Sequence, residues 1–175
     1  MLVRAAHLPD DAGAIAALDT SFTTDEVFDV ETAQAGFTLN ARRLAQPLTK
    51  RFALDDLDDP KRPWSDGFLA EAHGECLGFA AAGYEPWNRR VILWHLYVDP
   101  KGRRQGIARA LADEVARLGK ALGGRELWLE TSNLNVPGVA AYRAMGFSLT
   151  GLDLTLYEGT PAEGEIALFF SRQIG

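Results

Sequence analysis

The sequence predicts an α/β (α+β) fold, a mixed sheet flanked by helices, and three observations carry that expectation. Ile107, Leu111, Val115, Leu118 and Leu122 recur at steps of four or three, the signature of a helix packed on one face. Short apolar runs such as "RRVILWHLYV" and "RELWLE" stand on either side of that window and read as strands. Glycine-bearing turns separate the runs, at His73-Gly74, at Gly123-Gly124 and at Gly146. Strands and helices interleaved in this way bury their apolar faces by layering helices on a sheet.

The elements follow in order. "LPDDAGAIAALDTSF" offers Asp10 or Asp11 as N-cap and puts Ile15 and Leu18 on one helical face, so a first helix is expected there. A second helix is expected through "DVETAQAGFTL". "LDDLDDPKRPWSDG", residues 54 to 67, is an acidic, proline-punctuated loop, read as a solvated face, with a substrate-facing lid as the alternative. "GFLAEAH" and "ECLGFAAAGYE" form a hairpin around His73 and Gly74. "RRVILWHLYV" is apolar on both faces and belongs in the interior of the sheet. The long helix then ends at Gly123 and Gly124. After the strand "RELWLE", "NVPGVAAYRAMGF" makes a helix with Asn135 as cap, Pro137 in its first turn and Gly146 past its end. Strands near "FSLTGLDLTLY" and "EIALFFS" complete the chain.

At 175 residues, 47% of them hydrophobic and 24% charged, the chain suits one domain over 1–175 with a core and room for a pocket. A formal net charge of −6 argues against broad nucleic-acid binding and favours a cationic small-molecule partner. The lone Cys76 excludes an internal disulfide and leaves no cysteine cluster for zinc, so no metal is expected and a reducing compartment is the simpler home. Neither a membrane-length apolar run nor a leader pattern is present, which predicts a cytoplasmic protein with no membrane partner.

The segment that bears on chemistry is "VDPKGRRQGIARAL", residues 98 to 111, between an interior strand and a helix start. A helix N-terminus offers unpaired N–H groups and the positive end of the helix dipole. Gly106 would let an anion approach the backbone, and Arg103 and Arg104 add guanidinium forks suited to phosphate. By themselves these residues fit an anion cradle and a solvated loop equally well. The stretch matches neither G-x-x-x-x-G-K-[ST] nor G-x-G-x-x-G, so a nucleotide P-loop and a dinucleotide fingerprint are excluded.

Arg103, Gly106 and Ala108 match the R-x-x-G-x-[AG] element of the GNAT superfamily of N-acetyltransferases, and "LYVDP" precedes it as that family's central strand commonly ends. Downstream, "NVPGVAAYRAMGF" resembles the family's N-x-x-[AG]-x-x-x-Y-x-x-x-G-F helix, with Asn135 and Tyr142 seven apart on one face. Within the superfamily, "DEVFDVETAQAGFTL", "LETSNLNVPGVAAYRAMGFSLTGLDLTLY" and "EIALFFS" resemble the streptothricin acetyltransferases, which acetylate a β-lysine amino group of that antibiotic. The resemblance implies a mostly antiparallel mixed sheet, splayed between the central strand and the next.

The resemblance further implies acetyl-CoA as co-substrate and a primary amine as acceptor, and it allows a homodimer. It assigns Arg103, Arg104, Gln105, Gly106, Ile107 and Ala108 to the CoA pyrophosphate. Tyr97 and Val98 would donate backbone N–H groups to the reacting carbonyl, Asn135 would touch the pantetheine arm, and Tyr142 would be general acid for the departing thiolate. An alkyl ammonium has a reference pKa of about 10.4, so a base is also required. Many family members carry a Glu on the central strand where this chain has Trp94. His95, beside it, points to the opposite face and reads as a satisfied core histidine. Glu26, Asp29, Glu31 and Glu130 remain as candidate bases, and Glu26, Asp29, Trp94, Asp153 and Tyr157 as candidates for lining the acceptor pocket.

Three functions follow from these residues. One is acetylation of a cationic antibiotic such as streptothricin, hence resistance. A second is acetylation of protein N-termini, lysines or a metabolic polyamine. The third, drawn from Trp94 alone, is a CoA-binding interaction module without catalysis.

Overall fold

The structure, a computed structural model, describes residues 1–174. In chain order its elements are β1 (Leu2–Ala5), α1 (Ala12–Ala16), β2 (Ser21–Ala33), β3 (Gly36–Arg51), β4 (Asp66–Ala72), β5 (Glu75–Glu85), β6 (Arg90–Val98), α2 (Ile107–Ala121), β7 (Glu126–Ser132), α3 (Val136–Ala144), β8 (Ser148–Asp153) and β9 (Ala167–Gln173). Seven strands form a mixed sheet, and β2 with β3 forms a separate two-stranded ribbon. The chain divides into two compact units, one built from 1–20, 51–129 and the residues from Arg172, the other from 21–50 and 130–171.

In the first unit the strand order is β1-β4-β5-β6-β7, antiparallel except for the parallel pair β6-β7. The predicted β4-β5 hairpin turns on His73 (φ 53°) and Gly74 (φ 79°), the two consecutive positive φ values that match strand twist in a two-residue loop. On β6, Ala81 pairs with His95 but Ala82 with Leu93, so Trp94 is an extra residue, a β-bulge. The register of β6 with β7 covers only Arg90–Ile92 against Glu126–Trp128, as a splayed sheet requires.

Helix α2 buries Ile107, Leu111, Ala112 and Val115, and the stripe continues through Gly119 rather than through Leu122. A Cβ at Gly119 would collide with Val91, so the helix lies very close to the sheet there. Leu122 follows the last helical residue as C-cap and is 46% exposed, because the turn ends before its side chain can swing back to the sheet.

The acidic loop is not simply a solvated face. Leu57 and Trp64 are buried with Ile15, Leu18, Leu69, Phe79 and Ala81, so two apolar anchors tie the segment into the core. Asp11 occupies the N-cap position of α1, yet its carboxylate makes no side-chain cap bond. It accepts two hydrogen bonds from Arg4, at 2.7 and 2.8 Å, and one from the His7 N–H. Those bonds, Arg4 first, hold the Asp11 carboxyl at about 2.

In the second unit the helix expected through "DVETAQAGFTL" is instead the end of β2, a two-residue turn at Gln34-Ala35, and the start of β3. Good helix formers cluster at the turn, whereas Val30, Thr32, Phe37 and Thr38 on either side favour extended backbone. Cross-strand ion pairs, Arg42 with Asp29 at 2.5 Å and Arg43 with Asp25 at 3.1 Å, fasten the ribbon. The remaining strands run β7-β9-β8, with β8 antiparallel to β9 from Ser148↔Ser171 to Asp153↔Ala167. Asn133 ties this unit together: its Nδ2 donates to Phe28 O and its Oδ1 accepts from the Ile166 N–H, both at 2.8 Å.

Candidate active site

In the first unit, the segment after β6 forms a 3₁₀ turn, Pro100–Gly102, and then reverses twice into left-handed backbone, at Arg104 (φ 62°) and Gly106 (φ 82°). Successive N–H groups in such alternating conformations converge on a concavity suited to an anion. Gly106 is the N-cap of α2, so the helix N-terminus, the positive end of its dipole, opens onto the same place. A Cβ at Gly106 would meet no protein atom within 4 Å; an L side chain is disfavoured there by backbone conformation alone. This backbone fits a diphosphate.

The side chains do something else. Arg103 Nε donates to Val98 O at 3.1 Å and Gln105 Nε2 to Lys101 O at 2.9 Å, so both brace the turn. Asp99 N–H donates to Leu77 O at 3.0 Å. Strand alternation therefore turns the Tyr97 N–H back toward β5 and the Val98 N–H toward the other edge of β6, beyond the end of its register with β7. Of the two expected donors, Val98 has the geometry. The Tyr97 ring stacks on Phe52 at 5.6 Å.

The bulge separates Trp94 from His95. Trp94 is 44% exposed, an indole left on the surface of a central strand. His95 is enclosed, stacked near Phe79 at 6.1 Å and hydrogen-bonded through Nε2 to Asp56 at 2.9 and 3.0 Å, the satisfied core histidine expected from sequence.

In the second unit, Asn135 caps α3. Its Oδ1 accepts from the Gly138 N–H at 3.0 Å, and its Nδ2 donates to Thr131 Oγ1 at 3.0 Å. Tyr142 packs its ring against Phe147 and Phe170, at 6.0 and 6.1 Å. Burial pushes its phenol up to about 12, against a hydrogen bond with Thr131 that works the other way. It is therefore un-ionised at neutral pH, and far above the reference thiol value of about 8.5. Such a group suits a hydrogen-bond donor to a developing thiolate; full transfer of its proton to sulfur would be uphill.

Of the four candidate bases, Asp29 is taken by Arg42 and Glu31 lies exposed on the ribbon. Glu26 is partly buried on β2. Glu130, at the end of the "LWLE" run, has the altered chemistry. More than a third of the residue remains solvent-accessible, but protein crowds its carboxyl and pushes it above the usual carboxylate range. Tyr157 Oη donates to Glu130 Oε1. The nearby Lys50 pulls the carboxyl down and Glu165 pushes it up. Tyr157 belongs to the turn beyond β8, not to a strand, and Asp153 accepts from Thr155 N and Oγ1 at 2.8 and 2.9 Å, shaping that turn.

Lys50 and Glu165, which act on Glu130, Thr131, which bonds Tyr142, and Asp56, which holds His95, carry no signal in the sequence. Lys50 and Glu165 lie 115 positions apart, and no motif links them. Among the described residues no group of three metal-ligating side chains lies together, and no helix is long and apolar enough to cross a membrane.

A mixed seven-stranded sheet with helices, a splayed central strand and an anion-binding turn ahead of a helix define a CoA-dependent acyltransferase. The model of the "Acetyltransferase (GNAT) family" matches residues 28–147, and the chain belongs to that family. N-acetyl transfer from acetyl-CoA is its reaction. It is 41% identical over 174 residues to the streptothricin acetyltransferase of Streptomyces lavendulae, covering 93% of this chain and 90% of that one. A crystal structure of nourseothricin acetyltransferase superposes with a TM-score of 0.89 at 42% identity, covering 99% of this chain and 98% of that one. A Bacillus anthracis str. Ames protein in complex with acetyl coenzyme A shares the fold, with a TM-score of 0.81 at 20% identity over 98% of each chain.

Proposed function

We propose that this enzyme acetylates a primary amine of streptothricin, or of a closely similar cationic antibiotic, and so confers resistance to it. The observation that carries the reading is a likeness above 40% identity, spread over nearly the whole of both chains, to proteins bearing that activity in their names. The formal net charge of −6 suits a cationic acceptor.

When bound, acetyl-CoA supplies an activated thioester. The backbone N–H groups between Arg103 and Ala108 would hold its pyrophosphate, as the left-handed turns at Arg104 and Gly106 favour. The Val98 N–H would face the reacting carbonyl oxygen. Asn135, with its Oδ1 capping α3 and its Nδ2 bonded to Thr131, would act on the pantetheine arm through the backbone it orders. Glu130 takes a proton from the acceptor ammonium, breaking an N–H bond and forming an O–H bond; its raised carboxyl makes it the best matched of the four candidates. Tyr142 donates its hydroxyl hydrogen bond to the leaving sulfur. Trp94 presents an exposed indole, a surface suited to the acceptor's cationic body.

A thiol-release assay with acetyl-CoA against streptothricin, polyamines, aminoglycosides, lysine and short peptides tests the reading. The expected result is a kcat/KM for streptothricin well above every other acceptor. Turnover confined to peptides would overturn it.

A further inference from the structure

Lys50 Nζ lies 2.5 Å from both carboxylate oxygens of Glu165, with the two side chains only 25% and 13% exposed. Such a shielded, two-pronged ion pair is not a loose surface contact of negligible worth. Both of its charges act on Glu130, whose carboxylate also accepts from Tyr157 Oη. The groups that face Glu130 come from four elements: Lys50 from β3, Tyr157 from the turn after β8, Glu165 from the segment leading into β9, and Tyr142 from α3. With both tyrosines neutral, the ionised groups are two carboxylates and one ammonium.

We propose that the Lys50–Glu165 ion pair is a positioning device for the acceptor site: it cancels the Glu165 carboxylate, so that the cluster around Glu130 presents one negative charge, on Glu130, to the ammonium that is to lose its proton. The inference rests on Glu130 as the base. Without Lys50, Glu130 and Glu165 would be like charges sharing one site, and one of them would keep a proton into the working pH range. Glu130 in that state cannot accept the acceptor's proton. Without Glu165, the charge that offsets the Lys50 ammonium is gone, and Lys50 would hold Glu130 ionised to lower pH. The reacting ammonium would then meet a Glu130 cluster with no net charge, and acceptor affinity would fall.

The charge logic predicts opposite signs for the two single variants and compensation in the double. The readout is the acid limb of the pH profile of kcat/KM for streptothricin, with thermal melts to confirm folding. Lys50→Met should move the limb up by roughly half to one pH unit, and Glu165→Gln should move it down by a similar amount. The double variant should return close to wild type, and Lys50→Arg should preserve the profile. A merely structural pair would give singles that shift the same way or not at all, and a double no better than either; that result overturns the proposal. Should Lys50→Met fail to fold, the downward shift in Glu165→Gln and the rescue by Lys50→Arg still decide. Glu130→Gln separates the two layers. If it abolishes turnover while the pair variants leave the limb unmoved, only this inference falls. If it keeps wild-type turnover and profile, Glu130 is not the base and both fall.

Discussion

His95 on β6 and Asp56 in the acidic loop, 39 residues apart, meet through a bond from His95 Nε2 to Asp56 Oδ2 at 2.9 Å. The same carboxylate oxygen accepts from Trp64 Nε1 at 2.7 Å, so one aspartate secures both the strand and the loop's own aromatic anchor. Burial pushes the Asp56 carboxyl upward, but the hydrogen bonds from His95 and Trp64 prevail and hold it below the usual range.

A stability prediction follows for this pair. A carboxyl held low in the folded state contributes stability that is fully present above its unfolded value of about 3.9 and is lost as pH falls through the folded value. Asp56→Asn should cost about 1–2 kcal/mol at neutral pH, and the gap to wild type should close below about pH 4. Urea unfolding midpoints across that range check it; a gap that stays constant with pH would sink the idea.

Tyr142→Phe removes the hydroxyl proposed to face the leaving sulfur and leaves the ring packed on Phe147 and Phe170. The expected outcome is a fall in kcat of roughly 10²-fold with the KM for acetyl-CoA nearly unchanged. With the phenol at about 12, wild-type activity should show no basic limb from this group below about pH 10. Steady-state kinetics with saturating acceptor measures both; an unaltered kcat would remove Tyr142 from the mechanism.

Gly106→Val tests the cradle. The φ of 82° costs an L residue roughly 1–2 kcal/mol, and the new side chain would occupy the space before the first turn of α2. CoA affinity, read by calorimetry, should drop at least about tenfold, since relaxing the turn also turns its N–H groups away. A variant that folds and binds CoA normally would place the diphosphate elsewhere.

The fold and the turn ahead of α2 were legible in the sequence because local signals specify them. Periodicity marks α2, glycine and asparagine caps mark the ends of α2 and α3, and the motif around Arg103 and Gly106 lies within a few residues of chain. The ribbon of β2 and β3 escaped, since its helix-forming residues sit at the turn and its identity depends on pairing between strands. The bulge at Trp94 escaped too, being a mismatch of register with β5.

By itself the sequence determined the class of chemistry, an amine acetyltransferase that uses acetyl-CoA, together with the helix that Asn135 caps. Only the tertiary structure sets the four candidate carboxylates apart. Glu26, Asp29, Glu31 and Glu130 are equivalent as letters, and burial, a tyrosine hydroxyl and a lysine–glutamate pair distinguish them. A carboxyl's proton affinity is set by the groups around it in space, and Lys50, Glu130, Tyr157 and Glu165 become neighbours only when the chain has folded.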